Sequence, residues 1–301
     1  MFYIQTAGRK RTMRAAATAN ALSSIWPTDY PAKPQKMLSK AINKLRHQLK
    51  NPAATSDVQI VIGTRDSAGW IEVLLAEYHR LAIEPLVLLD GSSQDATEKI
   101  LCRRGIRYQK VFPQFPRIEA IIQEIPRHTD ARWVLRLDDD EFPSLRLVSW
   151  LKQNLANTAT PVIGVPRRWL RLGNSEHCEY SSHPLLRWLD DRMDIQWRLF
   201  QPDQVDYLTD IHSAGFRVES YDLVPEEAYL VHFDWILRSY EQRLSKIKKY
   251  DEQKPGAGTN FRDLYLWETS DRTLHQFMPM ETLEFDRLAA QLKNLALPLN
   301  K

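Results

Sequence analysis

The sequence predicts an α/β fold: a mostly parallel sheet flanked by helices, followed by an irregular second half and a helical C-terminal tail. Three observations carry this prediction. From Asp57 onward, short β-branched or apolar runs alternate with amphipathic stretches, which is the pattern of βαβ units. The runs are close to continuous in apolar residues, as strands covered on both faces require. Several of them end abruptly in polar or acidic residues, at Thr64-Arg65-Asp66, Asp90-Gly91-Ser92-Ser93 and Asp138-Asp139-Asp140-Glu141. In sheets of this kind, ligands sit beyond the carboxyl ends of the strands.

The elements follow in order. Residues 1–56 read as an accessory segment: FYIQT as a strand, RTMRAAATANAL as a helix, WPTDYPAKPQ as a proline-rich connection, and a basic helix through AKPQKMLSKAINKLRHQLKN. Residues 57–155 form the regular half, with VQIVIG, PLVLLD, IRYQKVF and RWVLRL as strands. The intervening helices are WIEVLLAEYHRL, SQDATEKILCRRG and RIEAIIQEI, and SLRLVSWLKQNL follows the last strand. Over 156–235 the periodicity breaks up, and PVIGVPRRWLRLG, IQWRLFQP, SAGFRV and AYLVHFDW are the candidate strands. Residues 236–301 are helical in pattern, interrupted by a PGAG break.

With 43% hydrophobic and 26% charged residues over 301 positions, the chain can bury a sizeable core. Cys102 and Cys178 show neither a disulfide framework nor zinc-ligand spacing, which favours a reducing, intracellular setting. The N-terminus has no apolar h-region and no apolar run reaches membrane-spanning length. The expectation is a cytoplasmic protein whose membrane contact, if any, is peripheral to an inner membrane face. Residues 1–56 hold ten Lys or Arg against one acid, Asp29, so +9 sits there and −6 on the remainder. Such a segment fits contact with an anionic surface, or simply a solvated helix.

The strongest chemical feature is RWVLRLDDDEFPS. Four consecutive carboxylates repel one another unless a cation or solvent relieves them. Hard divalent ions prefer one or two carboxylates plus phosphate oxygens, and Asp138 and Asp140 at DxD spacing are expected to point to one side and share such an ion. The plain alternative is an acidic turn before a helix capped by Ser144. At the two earlier strand ends, Asp66 and Asp90 can accept from a ribose or a base edge, and Gly91 permits close backbone approach. Asp90 and Ser93 are also ordinary turn and cap residues.

TRD at 64–66, LLDGSSQDAT at 88–97 and RWVLRLDDDEF at 132–142 together resemble the family 2 glycosyltransferases and their relatives. The resemblance covers roughly residues 57–155 and rests on order and spacing. It implies a GT-A (Rossmann-like) fold whose first half binds nucleotide and whose residues 156–235 take the acceptor. Thr64, Asp66, Asp90, Arg117 and Asp139 are then the candidate nucleotide-site residues. Asp138 and Asp140 are candidate ligands of Mn²⁺ or Mg²⁺, joined by His212 or, as second choice, His232. The implied reaction moves a sugar from a nucleotide donor, UDP-linked by default, to a hydroxyl on a glycan, a lipid-linked acceptor or a protein.

Two departures matter. LDGSSQD replaces the family's DDGSTD, leaving Asp90 alone at the nucleoside, and no clear ED pair follows residue 160. A catalytic carboxylate must therefore come from Glu176, Asp190, Asp191, Asp194, Asp206 or Asp210. Asp191 is preferred because Trp188 and Trp197 flank it, although such tryptophans more often pack in cores. Arg238, Arg243, Lys246 and Lys249 form a basic helix face that either meets a diphosphate or is solvated. The alternatives are a nucleotidyltransferase of similar fold, against which GTRDSAGW lacks a glycine- and lysine-rich loop, and a non-catalytic nucleotide- or polyanion-binding protein.

Overall fold

A computed structural model describes residues 57–113, 118–173, 177–182, 193–208, 213–266, 268 and 273–296, all within one compact unit. The expected accessory segment, 1–56, lies outside them. The first half runs β1 (Val58–Thr64), α1 (Ile71–Arg80), β2 (Leu86–Asp90), α2 (Thr97–Arg103), β3 (Tyr108–Val111), α3 (Ile118–Ile122), β4 (Trp133–Asp138), β5 (Glu141–Pro143) and α4 (Leu145–Asn154). The second half runs β6 (Val162–Leu172), β7 (Cys178–Ser181), β8 (Asp194–Phe200), β9 (Asp222–Leu223) and β10 (Leu230–His232). It continues through α5 (Asp234–Leu237), α6 (Tyr240–Gln253), α7 (Arg262–Tyr265), β11 (His275–Gln276) and α8 (Pro279–Ala296).

Among the described residues these strands form one sheet, ordered β11-β7-β6-β8-β4-β1-β2-β3 along its main path. The α/β architecture with a helical C-terminal region is the one expected. Along that path β3-β2-β1-β4 are parallel, whereas β8 pairs antiparallel with both β4 and β6; off it, β9 and β10 pair parallel with β6. Alternate residues of the parallel strands feed two cores. Ile60, Ile62, Val87, Leu89 and Leu135 pack under α1, α4 and α8; Val61, Leu86, Leu88 and Val134 pack against α3 and Phe200. Burial on both faces explains why these strands read as continuous apolar runs.

The sheet changes direction at β1. The chain winds outward through β2 and β3, then returns to place β4 on β1's other side. Ligands of such sheets bind beyond the carboxyl ends at a reversal of this kind, and here those are the ends of β1 and β4, where Gly63 pairs with Asp138. Some expectations were finer than the structure. RIEAIIQEI gives only a five-residue α3, followed by a 3-10 turn at Ile125–Arg127, because Pro126 cannot continue the α-helical hydrogen bonding. SAGFRV contributes an isolated bridge, Tyr207 to Phe216, in place of a strand. Within the expected helical tail, His275 and Gln276 pair with β7.

Candidate functional site

The acidic run divides its side chains among separate partners. Asp138 lies between Arg136 and Arg198, whose Nη atoms approach its two oxygens at 2.5 Å each. Glu141 takes Arg198 at 2.7 Å and Arg167 at 3.2 Å, and its Oε2 accepts the Asp138 amide. Arg167 also donates to Asp194, which accepts from the Trp169 indole as well. Asp138, Glu141 and Asp194 thus meet Arg136, Arg198 and Arg167 in one largely buried layer, in which burial first and Asp138 next push the Glu141 carboxyl up to about 8. Such a layer is costly to break once formed, because losing one partner strands a buried charge.

Asp139 turns the other way. Its Oδ2 accepts from the Thr64 hydroxyl at 2.7 Å, and its backbone carbonyl accepts from the Trp70 indole at 2.8 Å. Burial first, and the neighbouring Asp140 next, push the Asp139 carboxyl up to about 7 despite the Thr64 hydrogen bond. A carboxyl that retains its proton up to near-neutral pH relieves much of the repulsion within the run.

Asp140 enters a different constellation. Its Oδ1 is 3.2 Å from His232 Nε2 and its Oδ2 accepts from Arg238 at 2.7 Å. Burial opposes ionisation here, but His232 and Arg238 outweigh it and hold the carboxyl well below the ordinary range. Backbone pairing assembles the group. β10 lies between β5 and β6, with His232 opposite Glu141 and beside Trp169, and the Phe233 amide donates to the Asp140 carbonyl at 2.8 Å. Asp234, two residues after His232, starts α5 and takes Arg238 at 2.6 Å and Lys246 at 2.8 Å. Burial is again overcome, by Lys246 and Arg238, and Asp234 falls to about 2.

Potential ligand atoms of Asp140, His232 and Asp234 all lie within 4.8 Å of one another, and all three residues are buried. Among the described residues, His232 Nδ1 and Asp234 Oδ2 are buried without a hydrogen-bond partner. The imidazole meets Trp169 edge-on at 4.1 Å between ring centroids, which fixes its plane. Trp169 in turn packs with Trp235, Ile247, Leu264 and Tyr265 in a third apolar cluster, so the rings that hold the histidine also anchor α6 and α7.

The loops after β1 and β2 are stitched together beside this group. Asp66 adopts φ +52°, a left-handed conformation uncommon outside glycine. Its Oδ1 accepts from the Gln94 amide and the Ser93 hydroxyl. Ser67 donates its amide to Thr97, and Ala68 donates to Asp95. Asp90 is buried, with Oδ1 accepting the Ser92 amide and hydroxyl and Oδ2 lying 3.8 Å from Arg65.

The structure therefore brings Thr64 to Asp139 directly, sets Asp66 and Asp90 on adjacent stitched loops, and joins Asp140 to His232 rather than to Asp138. Arg117, Asp191 and His212 lie outside the described residues, as do Glu176, Asp190, Asp210 and Trp188. Asp194 has no exposed surface and accepts from Arg167 and Trp169. Asp206 is exposed. Trp197 packs on Tyr221, at 4.7 Å between centroids, as a core residue would. Asp234, Trp70, Arg136, Arg167 and Arg198 carry the site's geometry without having been singled out. The HxD spacing of His232 and Asp234 at a strand end was the one signal available.

No family model matches the chain, and no curated protein matches it. Solved structures share distant likenesses. Glucosyl-3-phosphoglycerate synthase from Mycobacterium tuberculosis, in complex with Mn²⁺, UDP and glucosyl-3-phosphoglycerate, is 15% identical over 79% of this chain and 95% of that one, with a TM-score of 0.47. TarS 1–349 of S. aureus is 12% identical over 71% and 72%, at 0.40. HddC from Yersinia pseudotuberculosis is 11% identical over 60% and 94%, at 0.36. Among the described residues, no helix is long and apolar enough to cross a membrane.

Proposed function

We propose that the chain is a metal-assisted glycosyltransferase that moves a sugar from a nucleotide donor, UDP-linked by preference, to a hydroxyl acceptor. The observation that carries this reading is the buried Asp140–His232–Asp234 group at the switch point of the sheet. Asp139, the chain neighbour of Asp140, is tied to Thr64 at the start of the loop that holds Asp66.

The group fits a divalent cation. Two carboxylates and an imidazole form a mixed oxygen and nitrogen set, and the orphaned His232 Nδ1 and Asp234 Oδ2 are buried polar atoms with partners still to gain. The imidazole suits Mn²⁺ better than Mg²⁺, which prefers oxygen. Bound there, a cation supplies Lewis-acid stabilisation of charge on the departing diphosphate.

The protein's own residues do the rest. Asp140 and Asp234 are already balanced by Arg238 and Lys246. The same two bases would be placed to pair with diphosphate oxygens, as guanidinium does well. Asp66 and Asp90 face the nucleoside. Asp138, held by Arg136 and Arg198, acts as a positioning residue that fixes the end of β4. Asp191 remains the candidate for deprotonating the acceptor hydroxyl, with Arg117 and His212 as further donor-site candidates.

Calorimetry with UDP in the presence and absence of Mn²⁺, followed by a screen of nucleotide-sugars for hydrolysis, tests the reading. UDP binding that requires Mn²⁺ and is lost in Asp140→Asn is expected. Stabilisation by nucleoside triphosphates alone overturns it in favour of nucleotidyl transfer.

A further inference from the structure

Among the described residues, Phe112 is the most exposed of the large hydrophobic side chains, with 76% of its surface in water. It is nonetheless held in place. Gly91 donates its amide to the Val111 carbonyl at 2.6 Å, and the Phe112 ring lies so close to Gly91 that an added Cβ would fall 2.2 Å from Cε1 and 2.5 Å from Cδ1. The backbone makes no demand for glycine there, since Gly91 is not among the residues with positive φ. What the missing side chain provides is room for the ring.

A single exposed aromatic is ordinary at a surface; what sets Phe112 apart is that its ring is seated on Gly91 at the carboxyl edge of the sheet. Its neighbours say what kind of ligand would suit it. Phe112 follows β3, Asp90 ends β2 with Gly91 next, and Arg65 follows β1, so the ring sits over Gly91 while the guanidinium approaches the adjacent Asp90 carboxylate from the strand on the other side. Arg65 Nη1 lies 3.8 Å from Asp90 Oδ2. An exposed π face beside a buried hydrogen-bond acceptor is matched by a flat, polar-edged heterocycle.

We propose that Phe112 is the stacking platform for the nucleobase of the donor, and that Gly91 is required to seat it. This rests on the nucleotide-donor reading above and assigns the residue that contacts the base. Stacking is tolerant of base identity, because every base has a π face. Phe112 therefore sets affinity, and the polar groups around Asp90 set the choice of base.

The test is calorimetry on the full chain with Mn²⁺ present, using UDP, GDP and ADP, and inorganic pyrophosphate as the ligand without a base. Phe112→Ala is expected to weaken the best-bound nucleoside diphosphate about tenfold to a hundredfold. Pyrophosphate binding should stay within about twofold, since its contacts lie elsewhere. Phe112→Trp should retain affinity. Gly91→Ala, which displaces the ring while keeping it, should weaken the nucleotide and spare pyrophosphate. Equal nucleotide affinity in the wild type and Phe112→Ala overturns the platform and leaves the donor reading standing. A wild type that binds pyrophosphate but no nucleoside diphosphate overturns both.

Discussion

Arg238 donates to Asp140 Oδ2 at 2.7 Å from the position that closes helix α5 (Asp234–Leu237), so a cation from the C-terminal region neutralises an acid of the nucleotide half. The same Nη1 serves Asp234 at 2.6 Å, and its guanidinium lies over the Trp70 ring at 4.9 Å. It neutralises two of the three residues to which a metal reading assigns the ion. Arg238→Ala should therefore tighten Mn²⁺ binding in the absence of nucleotide by about tenfold, from the lost competition between charges. It should also make thermal stability depend on Mn²⁺, because the ion then binds the folded state alone. A thermal-shift titration with and without Mn²⁺ checks both; a variant as indifferent to Mn²⁺ as one lacking Asp140 would show that no ion sits there.

Asp138 and Asp234 separate two versions of the metal site. If the ion is held by Asp140, His232 and Asp234, Asp234→Asn should lower Mn²⁺ affinity at least about tenfold. Asp138→Asn should act mainly on stability, because it weakens hydrogen bonds from two buried arginines. A cost of roughly 1.5–3 kcal/mol is expected from the loss of charged hydrogen bonds, discounted because a quarter of the Asp138 side chain is exposed. Parallel Mn²⁺ titrations and urea unfolding read the two effects apart. The reverse pattern would return the site to the DxD pair.

The regular half was legible because its signals are local. Apolar runs between amphipathic segments report a parallel sheet covered on both faces, and that sheet is present. What could not be read is the pairing that builds the site. β10 is only three residues long, and its position between β5 and β6 depends on partners that neither its spacing nor its propensity encodes. His232 accordingly ranks behind His212, and Asp234 is not among the candidate carboxylates. The DDDE run was found, but its side-chain directions were not. β4 ends at Asp138, so strand alternation does not extend through Asp139 and Asp140, and the two ends of the DxD meet different partners. Phe112 was read as the end of a strand, since exposure of a terminal residue is decided by tertiary packing.

Ser144 is the capping residue expected from the sequence, and it does more than cap. Its Oγ accepts the Leu147 amide at 3.1 Å and the Tyr229 amide at 3.2 Å, joining α4 to the start of β10. Ser144→Ala leaves both buried donors without this acceptor. The expected loss is about 1–3 kcal/mol, above the usual cost of a cap alone. Because Tyr229 precedes the strand that carries His232, Mn²⁺ affinity should fall with stability. Denaturant unfolding together with a Mn²⁺ titration tests the coupling; a stability loss with metal binding untouched would confine Ser144 to the helix.

Acid should loosen the C-terminal helix before the sheet. Glu77 on α1 accepts from both Nη atoms of Arg287 on α8 at 2.6 Å, and from Arg80, which also reaches Glu284 on α8 at 2.8 Å. Burial works against the Glu77 charge, yet Arg287 and Arg80 outweigh it and keep its carboxyl below the ordinary value of 4.5. A carboxyl depressed in the folded state contributes stability that is present above the unfolded value and is lost as pH falls through the folded one. Glu284 runs the opposite way: burial raises it above 4.5, so its protonation favours the folded form as pH falls. The two windows do not coincide. Glu284 takes up its proton above pH 4.5 and Glu77 below it, so the Glu77 loss appears as a steepening of the acid limb below about pH 4.5. Glu77→Gln should cost roughly 1.5–3 kcal/mol at pH 7, from weakened charged hydrogen bonds, and should flatten that limb. Glu284→Gln should leave the limb below pH 4.5 in place. Amide hydrogen exchange across residues 279–296 between pH 3.5 and 7 locates the effect on α8, and an acid limb equally steep in Glu77→Gln would assign it to other carboxylates.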